Sequence, residues 1–137
     1  MVHPTANIHN GRFSPDGRWM TFTLVSEGSR VIYITSLENG AGTKPETWIP
    51  ITANGMAQNS FWPPDANLLY IHQPDGLWAR KLHPATKIPD GEPFLVHPLS
   101  GLGFAPIFSA NGMSPNALYF MALETTSNIW IADPLNR

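Results

Sequence analysis

Five histidines, aspartates in Pro-Asp turns and a handful of loop amides are the side chains here that could do chemistry. A metal site needs several of these groups to converge, usually at helical or tight-loop spacing. His3 and His9 are six apart, His72 stands alone after an apolar run, and His83 and His97 flank a long polar connection. None of these spacings is a ligand motif, so the histidines read as surface loop residues, and no metal or other cofactor is expected. Asp16, Asp65 and Asp75 each follow a proline at a turn. A carboxylate in that place accepts hydrogen bonds from turn amides, which is a sufficient structural role. No G-x-S-x-G nucleophile elbow, P-loop or dinucleotide glycine fingerprint occurs, so a non-catalytic protein is expected. What remains is hydrogen bonding without net charge. His9, Asn10, Gln58 and Asn59, with Phe104 as an aromatic surface, are the candidate ligand-binding residues, suited to a small neutral ligand or a peptide backbone.

Composition limits the partners. Of the 137 residues, 42% are hydrophobic and only 13% charged, against an ordinary ~25% charged. Fourteen prolines and 11 glycines then favour short strands joined by tight turns over long helices. The formal net charge is −2 without a Lys/Arg cluster, so the basic footprint of a nucleic-acid binder is missing. No apolar run approaches the ~18 residues of a membrane helix, and no signal peptide is visible in the opening residues. A soluble chain, cytoplasmic by default, is the expectation; the absence of cysteine does not decide the compartment.

The elements that must position these residues follow from a repeat. Phe22, Ile71 and Phe120 stand at equal intervals, ending FSPDGRWMTF, WPPDANLLYI and MSPNALYF. A strand-rich, turn-punctuated unit of roughly 40–50 residues reads as one β-propeller blade. The fold class expected is therefore all-β, with three four-stranded antiparallel blades, half of a six-bladed propeller. Blade 1 covers about 9–53, blade 2 about 57–98 and blade 3 about 103–134. In the first, strands are expected at Gly11–Ser14, Arg18–Val25, Arg30–Ser36 and Thr47–Thr52, the last an outer strand because it contains Pro50, with Glu38–Pro45 as a loop. The second is expected to use Gln58–Trp62, Asn67–His72, Leu77–Leu82 and Pro93–His97. In the third, Ala105–Ser109, a turn near Asn111-Gly112, Ala117–Leu123 and Asn128–Asp133 leave no outer strand of its own. Aromatic residues recurring on these strands, Trp62 among them, are expected to pack between blades.

Three blades are fewer than the about 4–8 with which propellers close. The segment Val2–Ile8 is free to serve as the missing outer strand, so two copies arranged head to tail would give a closed six-bladed ring, a homodimer. The alternative is a fragment of a longer propeller. In either case the candidate binding surface lies at the channel mouth, on the loops entering the innermost strands: Asn7–Asn10, Asn54–Asn59 and Gly101–Phe104.

FSPDGRWMTF also resembles the PD40 (WD40-like) repeat of TolB-like bacterial β-propellers. WPPDANLLYI keeps Pro64 and Asp65 but has Ala66 where the repeat has glycine, and the third turn is Ser114-Pro115-Asn116. Leu77–Pro98 and Leu118–Pro134 resemble the C-terminal blades of multi-blade members. The resemblance covers nearly the whole chain and implies a propeller whose ancestor had six or more blades. For function it implies a protein- or ligand-binding platform, with a fragment of a propeller enzyme (a sugar-acid lyase, or the gating domain of a peptidase) as the alternative.

Overall fold

A computed structural model describes residues 7–39, 41–53, 55, 57–99, 105–114 and 117–123; within 105–123, side chains are described for Ser114, Ala117 and Tyr119. The chain is all-β, built from curled antiparallel sheets, and the described residues include no α-helix. The first sheet contains β1 (Asn7–Phe13), β2 (Trp19–Ser26), β3 (Ser29–Glu38), β4 (Ala41–Gly42) and β5 (Ile49–Pro50), with β4 and β5 both paired to β3. The second runs β6 (Asn59–Phe61), β7 (Leu68–Gln73), β8 (Gly76–Lys81) and β9 (Phe94–Pro98) in sequence order. A hairpin of β10 (Ala105–Ser114) and β11 (Ala117–Leu123) follows.

The strands of the first two sheets lie where the repeat places them, with differences at their ends. Asn7–Asn10, expected as a loop, is the start of β1: Asn7, Ile8 and His9 pair with Val25, Leu24 and Thr23. The Asn10-Gly11 dipeptide makes a bulge between His9 and Arg12, with Asn10 at φ 56°. Asparagine tolerates that left-handed backbone better than most residues. Asn7 and Ile8 thus pair within the first sheet, and the rest of the expected outer strand Val2–Ile8 lies outside the described residues. The expected loop Glu38–Pro45 contains β4, and β3 extends through Glu38 to meet it. The expected turn near Asn111-Gly112 is replaced by strand: Asn111 and Gly112 pair with Phe120 and Tyr119, and the reversal falls between Ser114 and Ala117. An Asn-Gly pair makes a hairpin only where the flanking runs can pair across it. Here the apolar run Ala117–Leu123 pairs back along the whole of β10. Asn128–Asp133 lies outside the described residues.

The turns of Asp16 and Asp65 carry the backbone caps expected of them, whereas Asp75 is held by a side chain. Ser14 Oγ donates to Asp16 Oδ1 (2.6 Å), the Arg18 backbone N–H donates to the same oxygen (3.1 Å), and Arg18 Nε donates to Oδ2 (2.8 Å). Gly17 closes the turn at φ 69°, its N–H reaching Ser14 O (2.9 Å). In the second unit Asn67 N–H donates to Asp65 Oδ1 (3.2 Å), and Ala66 takes the left-handed place of the glycine at φ 54°. A Cβ in that conformation costs roughly 1–2 kcal/mol. The Ala66 carbonyl in turn accepts from the buried Lys87 ammonium (2.7 Å), which ties this turn to the His83–Glu92 connection. Asp75 accepts from the indole of Trp78 (3.0 Å).

The core lies between the first two sheets, where Ile32, Ile34 and Ile51 meet Ala57, Trp62, Leu69, Ile71 and Leu82. Trp62 is buried there, as the aromatic pattern predicts. Beside this apolar contact runs a polar seam between β6 with its flanks and the strands β1 and β2. The Ser60 hydroxyl donates to Thr21 Oγ1 (2.9 Å), the Trp62 indole to Arg12 O (3.2 Å), and Thr23 Oγ1 to Gln58 O (3.2 Å). Residues 58, 60 and 62 alternate along one strand, so all three meet the first sheet.

Two outcomes test this account. Leu69→Ala removes a fully buried side chain and is expected to cost about 2–5 kcal/mol in urea unfolding. Ile88→Ala, at a side chain 55% exposed, is expected to stay within about 0.5 kcal/mol. The second concerns acid. The Ser14 hydroxyl, then the Arg18 amide and guanidinium, hold the Asp16 carboxyl at about 2, below its usual 3.8. A carboxyl depressed by folding contributes stability above its unfolded value and loses it as pH falls through the folded one. The gap in urea midpoint between wild type and Asp16→Ala is therefore expected to be full above 3.8 and to close toward 2; a gap constant across that range would count against the cap.

Candidate functional site

The strand ends nearest the crossing from β5 to β6 gather most of the expected binding residues. Register fixes this. The start of β1, the end of β2 and the start of β3 lie at one end of the first sheet, where Asn7 opposes Val25 and Val25 opposes Arg30. The start of β6 and the β7–β8 turn lie at the matching end of the second, with Asn59 opposite His72. The described residues 52, 53, 55, 57 and 58 bridge the two sheets, and the Arg30 N–H donates to Gly55 O (3.0 Å) to hold that bridge down.

Between β1, β2 and the bridge lies a cleft of about 180 Å³ lined by His9, Asn10, Thr23, Val25, Arg30 and Gln58. His9 lies opposite Thr23, and Val25 opposite Arg30, so all four project from the face that meets the second sheet. The bulge supplies one extra residue, Asn10, whose amide donates to Gln58 O (2.9 Å). Thr23 Oγ1 donates to that same carbonyl (3.2 Å). The floor of the cleft is thus fixed by two donors on one backbone oxygen. The Arg30 guanidinium is exposed and the lining contains no carboxylate. Such a cleft offers donors to the acceptor groups of a small ligand, and its one full charge is positive.

Of the five residues expected at the site, the structure brings His9, Asn10 and Gln58 together. Asn59 does not join them. It is the first residue of β6, buried, and points to the opposite face from Ser60, beside His72. Its Oδ1 has no hydrogen-bond partner among the described groups. Phe104 lies outside the described residues. Thr23, Val25 and Arg30 were not expected. They lie on strands two and three of the unit, and only the pairing register shows that those strand ends reach the same place as the first strand.

The remaining histidines are dispersed. His83 Nδ1 accepts from the Ala85 and Thr86 amides (3.3 Å each) and so caps its own turn. His97 is exposed on β9, and His3 lies outside the described residues. No group of three or more His, Asp or Glu that could hold a metal ion occurs among the described residues. No described helix is long and apolar enough to cross a membrane. Comparison of the chain with protein-family models, with curated proteins and with solved structures finds no match.

Burial lowers the His72 pKa below its usual 6.5. The unfolded chain takes up a proton there that the folded chain resists, so this contribution is complete above 6.5 and is lost as pH falls below it. Urea midpoints of wild type are expected to drop across that window more steeply than those of His72→Gln. Parallel profiles would show that the ring titrates alike in both states.

Proposed function

We propose that this protein is a non-catalytic β-propeller-type scaffold, whose sheets are blades and whose chain associates with a second copy into a closed six-bladed ring with a ligand- or protein-binding surface at the channel mouth. The observation that carries the reading is a face without a neighbour. Phe22 and Ile71 occupy the same place in the repeat and project in the same direction along the stack. Ile71 is buried against the first sheet. The face of the first sheet that carries Phe22 has no described sheet against it. Ile8, Phe13, Met20, Leu24 and Val31 share this face by register, with Ile8 47% and Phe13 66% exposed. An apolar sheet face that a homologous face covers elsewhere in the same chain is suited to the far end of a second copy. The cleft of His9, Asn10, Arg30 and Gln58 supports the binding half of the reading, since it opens beside the innermost strand.

Size-exclusion chromatography with light scattering tests it. The expected mass is twice the 15.1 kDa chain, and Phe13→Asp is expected to give a monomer with unchanged far-ultraviolet circular dichroism. A monomeric wild type would overturn the ring.

A further inference from the structure

The bridge between the two sheets has a second side. There, between the outer part of the first sheet and the second sheet, lies a cleft of about 340 Å³, at the lower end of the ~300–1,000 Å³ of small-molecule sites. Its walls are mixed. Ala53 and Pro93 supply accessible apolar surface above the buried Ala57 and Ile71, Gln73 supplies an amide, and Arg80 and Glu92 supply one charge of each sign. Arg80 is held in place from within the fold: its Nη1 donates to Ile51 O, and its Nε–H is sealed from solvent with no acceptor among the described residues. A guanidinium has five N–H donors, so much of its capacity is left for a ligand reaching it from the cleft. Arg80 and Glu92 line the same space without forming an ion pair; the pair between Arg18 and Asp16 is the one among the described residues.

We propose that this cleft binds a small zwitterion of the α-amino-acid class with an apolar side chain. The carboxylate meets Arg80, the ammonium meets Glu92, and the side chain lies against Ala53 and Pro93. The charges decide among ligand classes. A simple carboxylate would sit at Arg80 with the Glu92 charge unanswered and repelling it, and a simple amine would meet the same objection at Arg80. A molecule with both groups answers both charges. Arg80, being anchored at Ile51 O, presents its charge without having to be ordered on binding.

Calorimetric titration of the purified protein with L-leucine, 4-methylpentanoate and 3-methylbutylamine tests this directly. Leucine is expected to bind saturably, with each single-charge analogue at least about tenfold weaker, as the loss of one charge contact implies. Glu92→Gln changes an exposed residue and leaves the fold intact; it is expected to weaken leucine about tenfold while 4-methylpentanoate binds no less well than before. Arg80→Lys, which keeps the charge and one donor for Ile51 O, is expected to weaken leucine and the carboxylate together. No saturable leucine heat up to about 10 mM, an analogue binding as tightly as leucine, or indifference to Glu92→Gln would each overturn the assignment. The readout is binding to the protein in whatever assembly it holds, so it is independent of the ring.

Discussion

The hydroxyl of Ser60 on the hydroxyl of Thr21 is the contact on which the rest of the structure depends. Both residues are almost completely buried, on β6 of the second sheet and β2 of the first. A buried hydroxyl without a partner costs about 1–3 kcal/mol; Ser60 finds its acceptor here on the first sheet, while Thr21 accepts from it and donates to Arg12 O within its own sheet (3.4 Å). The contact also sets register. Sliding β6 by one residue would turn Ser60 away and present Asn59 and Phe61 to the first sheet. It would also break the Trp62–Arg12 and Thr23–Gln58 bonds that flank it. The apolar contact of Ile32, Ile34, Leu69 and Ile71 supplies the larger energy, but oil-like surfaces tolerate sliding. The polar seam does not.

The second unit departs from the first wherever the seam requires nothing of it. Ala66 replaces Gly17 in the left-handed turn position, a substitution with a backbone cost, and a buried lysine sits on its carbonyl. Lys87 itself has φ 58°, so two strained residues share one hydrogen bond. The aliphatic stem of a lysine covers apolar surface while its ammonium finds an oxygen. The long connection His83–Glu92 is thereby fastened to the turn it passes. The first unit has no such strap; a 3-10 turn at Pro45–Thr47 and the short β5 close that sheet instead.

How much of this was legible in the sequence depends on the range of the interaction. Pro-Asp-Gly turns, strand alternation and the equal spacing of Phe22 and Ile71 are local signals, and the strands of the first two sheets follow from them. The Asn111-Gly112 dipeptide misled, since the expected turn there is strand. Asparagine and glycine favour positive φ, and positive φ serves a bulge as well as a hairpin. The choice is made by what the following strand pairs with. The same limit applies to the cleft. His9, Asn10 and Gln58 were accessible because they precede first strands, whereas Arg30 follows the Ser26–Ser29 turn and reaches them only through the register of β2 on β3. Asn59 illustrates the converse: it is adjacent to Gln58 in sequence, yet period-two alternation sends it to the other face.

That alternation also explains why the uncovered face of the first sheet differs from the seam on its opposite side. On the seam side β2 presents Thr21 and Thr23, hydroxyls that need partners in fixed places. On the other side it presents Met20, Phe22 and Leu24. Phe22 is itself buried, because Trp48 meets its ring edge-on at 4.7 Å and Tyr33 stacks on it at 5.9 Å. This cap comes from β3 and the approach to β5, and it covers the middle of the sheet. The innermost strand is left bare, with Ile8 and Phe13 both exposed. Any neighbour on this face therefore meets an apolar inner strand and an aromatic ridge, with no hydroxyl ladder to fix its register. The proposed second copy would be positioned by shape at this joint. A joint of that kind is more adaptable than the internal seam, and the first sheet can keep its own cap whether or not the neighbour is present.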